Sequence, residues 1–132
     1  MILDHIGIAV RSIEKRLAIW KDALGLSFIG IEEIPEQKVK VAKIDVRGTV
    51  IELLEATAKD SPISRFIEKK GEGIHHLCFQ VPDIEKALTE IKNHGMRLID
   101  EVPRIGAGGN KIAFIHPKDM GGVLIELSQK ID

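Results

Sequence analysis

The chain has 132 residues, 44% hydrophobic and 30% charged, with a formal net charge of −1. That length allows one real hydrophobic core. The charge balance offers nucleic acid no basic surface, and a single cysteine excludes an internal disulfide framework. No apolar run reaches the ~18 residues a membrane span needs, and no signal peptide precedes Asp4, so a cytoplasmic location away from membranes is expected.

Residues 2–10 alternate as a strand does, with Ile6, Ile8 and Val10 on one face and Leu3, His5, Gly7 and Ala9 on the other. Ser12 suits an N-cap, with Glu14 in the first turn. Ile13, Leu17, Trp20 and Leu24 then form a helical stripe, closed by Gly25. Strands are expected over 27–34, 38–46 and 49–55, separated by turns at Pro35-Glu36-Gln37 and Arg47-Gly48. Residues 56–73 read as a packed connector, with Ser61-Pro62 opening a short helix and Gly71 following it. A strand over 74–81 comes next, then a helix capped by Asp83, striped by Ile84, Ala87, Leu88 and Ile91, and ended by Gly95. Strands are expected last over 96–102, 111–116 and 123–129.

The two halves repeat one plan. The segment around His5 returns around His76, Ser12-Ile13-Glu14-Lys15 returns as Asp83-Ile84-Glu85-Lys86, and the strand carrying Glu52 returns as the strand carrying Glu126. A period of about 70 residues is too long for a solenoid, whose units run roughly 20–50. It suits two fused βαβββ modules, about 1–56 and 73–132, in a single domain. The fold class is therefore α+β, with the modules forming an incomplete barrel. His5, Glu52, His76 and Glu126 all have the parity opposite to the apolar face of their strands. If each sheet curls with its helix outside, all four point into the hollow. There they could hold one metal ion with two nitrogens and two carboxylate oxygens.

Four such ligands would close a tetrahedral zinc site. In an octahedral field they leave two open positions, which favours cobalt, nickel or manganese over zinc. A substrate with two oxygens can then chelate, and the natural reaction is proton removal next to a carbonyl through a metal-stabilised enolate.

Several phrases resemble one family. Asp60-Ser61-Pro62-Ile63, Gly73-Ile74-His75-His76-Leu77-Cys78, Ile105-Gly106-Ala107-Gly108-Gly109 and the run from His116 to Leu127 are similar to methylmalonyl-CoA epimerases of the vicinal oxygen chelate superfamily. The resemblance spans essentially the whole chain. It implies interconversion of the 2R and 2S epimers of methylmalonyl-CoA, a divalent metal with cobalt first, and a homodimer. It places metal ligands on His5, Glu52, His76 and Glu126, with Gln at the place of Glu52 in a bacterial relative. It makes Glu126 one acid–base group. The relative's second group falls near Val41, which has no carboxylate, so Glu52 is the substitute and Lys43 a weaker one. Glyoxalase I, with the same ligand types, is the rival enzyme, and a metal-free binding module of this architecture is the non-enzymatic rival.

Other residues have plainer readings. His75 is opposite in parity to His76 and suits packing. His94 suits a helix end, His116 a turn and Cys78 a small buried hydrophobe. The Gly106–Asn110 loop leads into a strand, which rejects a dinucleotide fingerprint, although its backbone could meet a substrate. Arg104, Lys111 and Lys118 are scattered surface cations that could meet CoA phosphates.

Overall fold

The computed structural model describes residues 1–106 and 108–131. Ala107, in the glycine-rich loop, lies outside the described residues. The elements are β1 (Ile2–Ala9), α1 (Ile13–Leu17, continued as a π-helical stretch over Ala18–Ala23), β2 (Ser27–Ile34), β3 (Val39–Val46), β4 (Thr49–Ala56), α2 (Pro62–Lys70), β5 (Gly73–Gln80), α3 (Ile84–Asn93), β6 (Arg104–Ile105), β7 (Lys111–Ile115) and β8 (Leu124–Gln129). Contacts divide the chain into two compact units: His5–His75, and Met1–Asp4 with the chain from His76 onward. No helix among the described residues is long and apolar enough to cross a membrane.

In the first unit the strand order is β2-β3-β4-β1. Antiparallel hairpins join β2 to β3 and β3 to β4, while β4 lies parallel to β1. The β3–β4 turn is Arg47-Gly48, both with positive φ (50° and 103°), the backbone that a two-residue hairpin needs. One sheet face packs Ala42, Ile44 and Leu53 against Ile13, Leu17 and Trp20 of the first helix. Ser12 caps that helix, its Oγ accepting from the Lys15 N–H at 3.2 Å. The stripe departs from expectation at its end. Leu24 is 59% exposed, and Leu26 joins the core instead. The π-helical turn, with the Leu24 N–H donating to the Ile19 carbonyl at 2.9 Å, takes more residues per turn than an α-helix and so rotates the stripe. The connector forms α2, capped by Ser61 with Pro62 at its start. Its Ile63, Phe66 and Ile67 cover Ala9, Val39, Val41 and Leu54 on the other sheet face.

The second unit orders its strands β5-β8-β7-β6. Helix α3, capped by Asp83 through the Lys86 N–H at 3.1 Å, packs Ile84 and Leu88 on Val81, Ala113, Ile115, Ile125 and Leu127. Fully burying a side chain such as Ile84 or Leu127 contributes roughly 1.5–3 kcal/mol. The strand expected over 96–102 is not one. Leu98 makes a single bridge to Ile115, and the ladder resumes only at β6. Asp100 explains the break, because its Oδ2 accepts the Phe114 N–H at 2.9 Å, a bond a strand carbonyl would otherwise take. Pro103, with no N–H to offer, follows.

Candidate metal centre

Each unit places one histidine beside one glutamate by the same construction. In the first, β1 and β4 are in parallel register with Gly7 opposite Glu52, so His5, two residues earlier on β1, shares the face of that carboxylate. His5 Nε2 and Glu52 Oε1 lie 3.7 Å apart. In the second, Cys78 stands opposite Glu126 on parallel β5 and β8, and His76 precedes it by two. His76 Nε2 and Glu126 Oε1 lie 3.5 Å apart.

The surrounding bonds repeat as well. The Val10 N–H donates to the Leu54 carbonyl at 2.9 Å, and the Val81 N–H to the Ser128 carbonyl at 2.8 Å. The first helical N–H of Ile13 donates to Glu55 Oε1 at 2.7 Å. That of Ile84 donates to Gln129 Oε1 at 2.9 Å. A side chain three residues beyond each glutamate thus ties strand to helix and fixes which way the glutamate faces.

The donor set fits a divalent cation. Imidazole nitrogen and carboxylate oxygen are ordinary ligands of borderline metals, and all four groups are sheltered, with His76 and Glu126 only 8% and 9% exposed. Burying a carboxylate is costly unless it is paired or coordinated. Each histidine–glutamate pair meets that condition while still presenting donor atoms.

The site face of the first unit has two ends. Helix α2 covers the apolar end. The other carries His5, Glu52 and Lys43, which stands directly opposite Glu52 on β3. Val41 is buried at the apolar end and has nothing to transfer a proton with. The sequence reading missed Glu32. It lies opposite Val41 on β2, and its Oε2 is 3.1 Å from Lys43 Nζ. The alternation Gly30, Glu32, Ile34 would have revealed its face, given the hairpin register.

The remaining histidines take the plainer roles. His75 meets Phe66 of α2 edge-on, ring centroids 5.0 Å apart. His94 is the C-cap of α3, with Nδ1 2.8 Å from the Glu90 carbonyl oxygen. His116 caps the short helix Pro117–Met120, its Nδ1 accepting from the Lys118 N–H. Cys78 is fully buried, and its thiol donates to Ser128 Oγ at 3.5 Å. Lys111 pairs with Glu85 at 3.0 Å and Arg104 with Asp100 at 3.3 Å. Gly106 packs where any Cβ would come within 2.7 Å of Ile112.

Residues 4–114 match the Glyoxalase/Bleomycin resistance protein/Dioxygenase superfamily. The mitochondrial methylmalonyl-CoA epimerase of Homo sapiens is 41% identical over 128 residues, 96% of this chain and 73% of that protein. The chain belongs to the methylmalonyl-CoA epimerase family of that superfamily. It is therefore an enzyme of the epimerase class. A Streptomyces coelicolor methylmalonyl-CoA epimerase, solved in complex with 2-nitronate-propionyl-CoA, has a TM-score of 0.84 at 34% identity, covering 97% of this chain and 93% of that one. A probable lactoylglutathione lyase of Synechocystis is 27% identical over 133 residues, 98% of this chain and 95% of that protein. The epimerases are thus closer relatives of this chain than that lyase.

Proposed function

We propose that this chain interconverts (2R)- and (2S)-methylmalonyl-CoA, moving a proton off one face of C2 and a proton onto the other. His5, Glu52, His76 and Glu126 hold one divalent cation, cobalt first and nickel, manganese or zinc otherwise. When bound, the ion supplies Lewis-acid stabilisation for the negative charge that develops on the thioester oxygen as an enolate forms. The observation that carries this reading is the identical construction of the two histidine–glutamate pairs, one in each unit.

Inversion needs two acid–base groups, one for each face of the carbon. Glu126 takes the proton on one side. Glu52, its equivalent in the repeat, serves the other. A carboxylate has two oxygens, so one can face the ion while the other handles a proton. Their strands hold both carboxylates at fixed positions, and positioned proton transfer of this kind contributes typically ~10²–10⁴-fold. The enzyme works as a homodimer in the cytoplasm.

The test is deuterium incorporation at C2 of methylmalonyl-CoA in D₂O, with and without a chelator. Wash-in that stops on chelation is expected. Purified protein that leaves C2 unlabelled when fully loaded with metal sinks the proposal.

Glyoxalase I is the second reading, favoured by one observation: residue 52 is a carboxylate, giving the His, Glu, His, Glu set. Turnover of the methylglyoxal–glutathione hemithioacetal in preference to methylmalonyl-CoA would establish it.

A further inference from the structure

On the site face of the first unit, one cross-strand rung runs Gly7, Glu52, Lys43, Gly30 through β1, β4, β3 and β2. Two long charged side chains stand at its centre with a glycine at each end, and a Cβ added at Gly30 would meet nothing within 4 Å. The space beside Lys43 is open. Apart from His5, Lys43 is the one basic side chain among the described residues of this face, beside the carboxylates Glu32, Glu52 and Asp45. Its ammonium pairs with Glu32 at 3.1 Å, and the two side chains are 39% and 53% exposed. A pair this exposed contributes little to folding and can be exchanged for another anion. An ammonium has three donors and no acceptor, which suits it to receiving an oxyanion.

We propose that Lys43 is a specificity-determining residue that binds an oxyanion of the substrate, leaving Glu32 to do so. This rests on the epimerase reading above. An acyl-CoA ester offers such an oxyanion from two sources, the malonyl carboxylate and the nucleotide phosphates. Glu32 shields the ammonium while the site is free, and the incoming oxyanion displaces it. Near Glu52, the lysine also offsets the repulsion an anionic ligand would meet from the carboxylates of this face.

Calorimetric binding of methylmalonyl-CoA to the metal-loaded protein tests this without relying on turnover. Lys43→Met should weaken binding about tenfold, the scale of one charge-assisted hydrogen bond, and Lys43→Arg should keep most of the affinity. Glu32→Gln should bind as tightly as wild type or tighter, because it frees the ammonium. With S-methylmalonyl-pantetheine, which lacks the phosphates, a persisting Lys43→Met loss assigns the contact to the carboxylate and a vanished loss assigns it to a phosphate. Either result supports the oxyanion role. Unchanged affinity in Lys43→Met, or a Glu32→Gln loss equal to it, overturns the role, the latter because it marks the pair as structural. Wild-type protein that binds but does not label C2 defeats the epimerase reading and leaves Lys43 standing. Wild-type protein that does not bind methylmalonyl-CoA defeats both.

Discussion

The two halves hold the same frame and differ in what surrounds it. In the first, Glu52 has Gly7 on one neighbouring strand and Lys43 on the other. In the second, Glu126 has Cys78 and Phe114 in those places, and the Arg104 guanidinium lies 5.5 Å from the centre of the Phe114 ring. The first pair is the wetter, with side chains 13% and 18% exposed against 10% and 12% in the second. Duplication kept the backbone bonds that aim each carboxylate. Divergence changed the neighbours, along with the π-helical stretch of the first half and the edge strand of the second, which is cut to two residues. The frame therefore accounts for where the carboxylates stand, and the neighbours account for any difference in what they do.

The sharpest way to break this comparison is to neutralise one carboxylate at a time. Glu126→Gln should cut deuterium wash-in at C2 by about 10²–10⁴-fold while metal analysis still finds some ion bound. Full exchange in that variant would remove Glu126 as a base. Glu52→Gln should lose about 10²-fold if both halves transfer protons. Activity close to wild type would reduce residue 52 to a ligand and make the halves unequal in chemistry as well as in surroundings.

Next come the core residues that follow each glutamate in sequence. Leu53 and Leu127 are both buried, 0% and 1% exposed, each beneath its own helix. Leu53→Ala and Leu127→Ala should each cost about 2–5 kcal/mol in urea unfolding. A large gap between them would show that the halves do not share their packing. Cap removal is smaller. Ser12→Ala and Asp83→Ala should each cost about 0.5–2 kcal/mol.

The smallest effect is a pH dependence found in the first half. The Arg16 guanidinium, 2.6 Å away, and then the Arg11 N–H hold the Glu72 carboxyl below its ordinary range. A lowered folded-state pKa stabilises above the unfolded value, about 4.3 for Glu, and that contribution fades as pH falls through the folded value. The stability difference between wild type and Arg16→Met should therefore be complete at neutral pH and shrink in acid. A difference that grows in acid would contradict the assignment.

Much of this architecture was legible because the signals were local and came twice. Period-2 alternation identified the faces of β1, β4, β5 and β8, and Ser12, Ser61 and Asp83 cap the helices their chemistry suggested. The failures needed tertiary information. Periodicity assumes 3.6 residues per turn, so it cannot foresee the π-helical stretch that turns Leu24 outward. The segment 96–102, with Met96, Leu98, Ile99 and Val102, looks like a strand until Asp100 takes the Phe114 N–H. Glu32 went unnoticed because its partnership with Lys43 depends on the register of the β2–β3 hairpin.

The tight Arg47-Gly48 corner has an evolutionary consequence. Side chains of β4 alternate between helix and site, so one residue inserted at that corner and absorbed as a register slip would put Ile51 in the place of Glu52 and Glu52 in the place of Leu53. A carboxylate would sink under the helix, and an apolar chain would face the ligand position. Length changes at this corner should therefore be purged during divergence far more strictly than changes of residue type there.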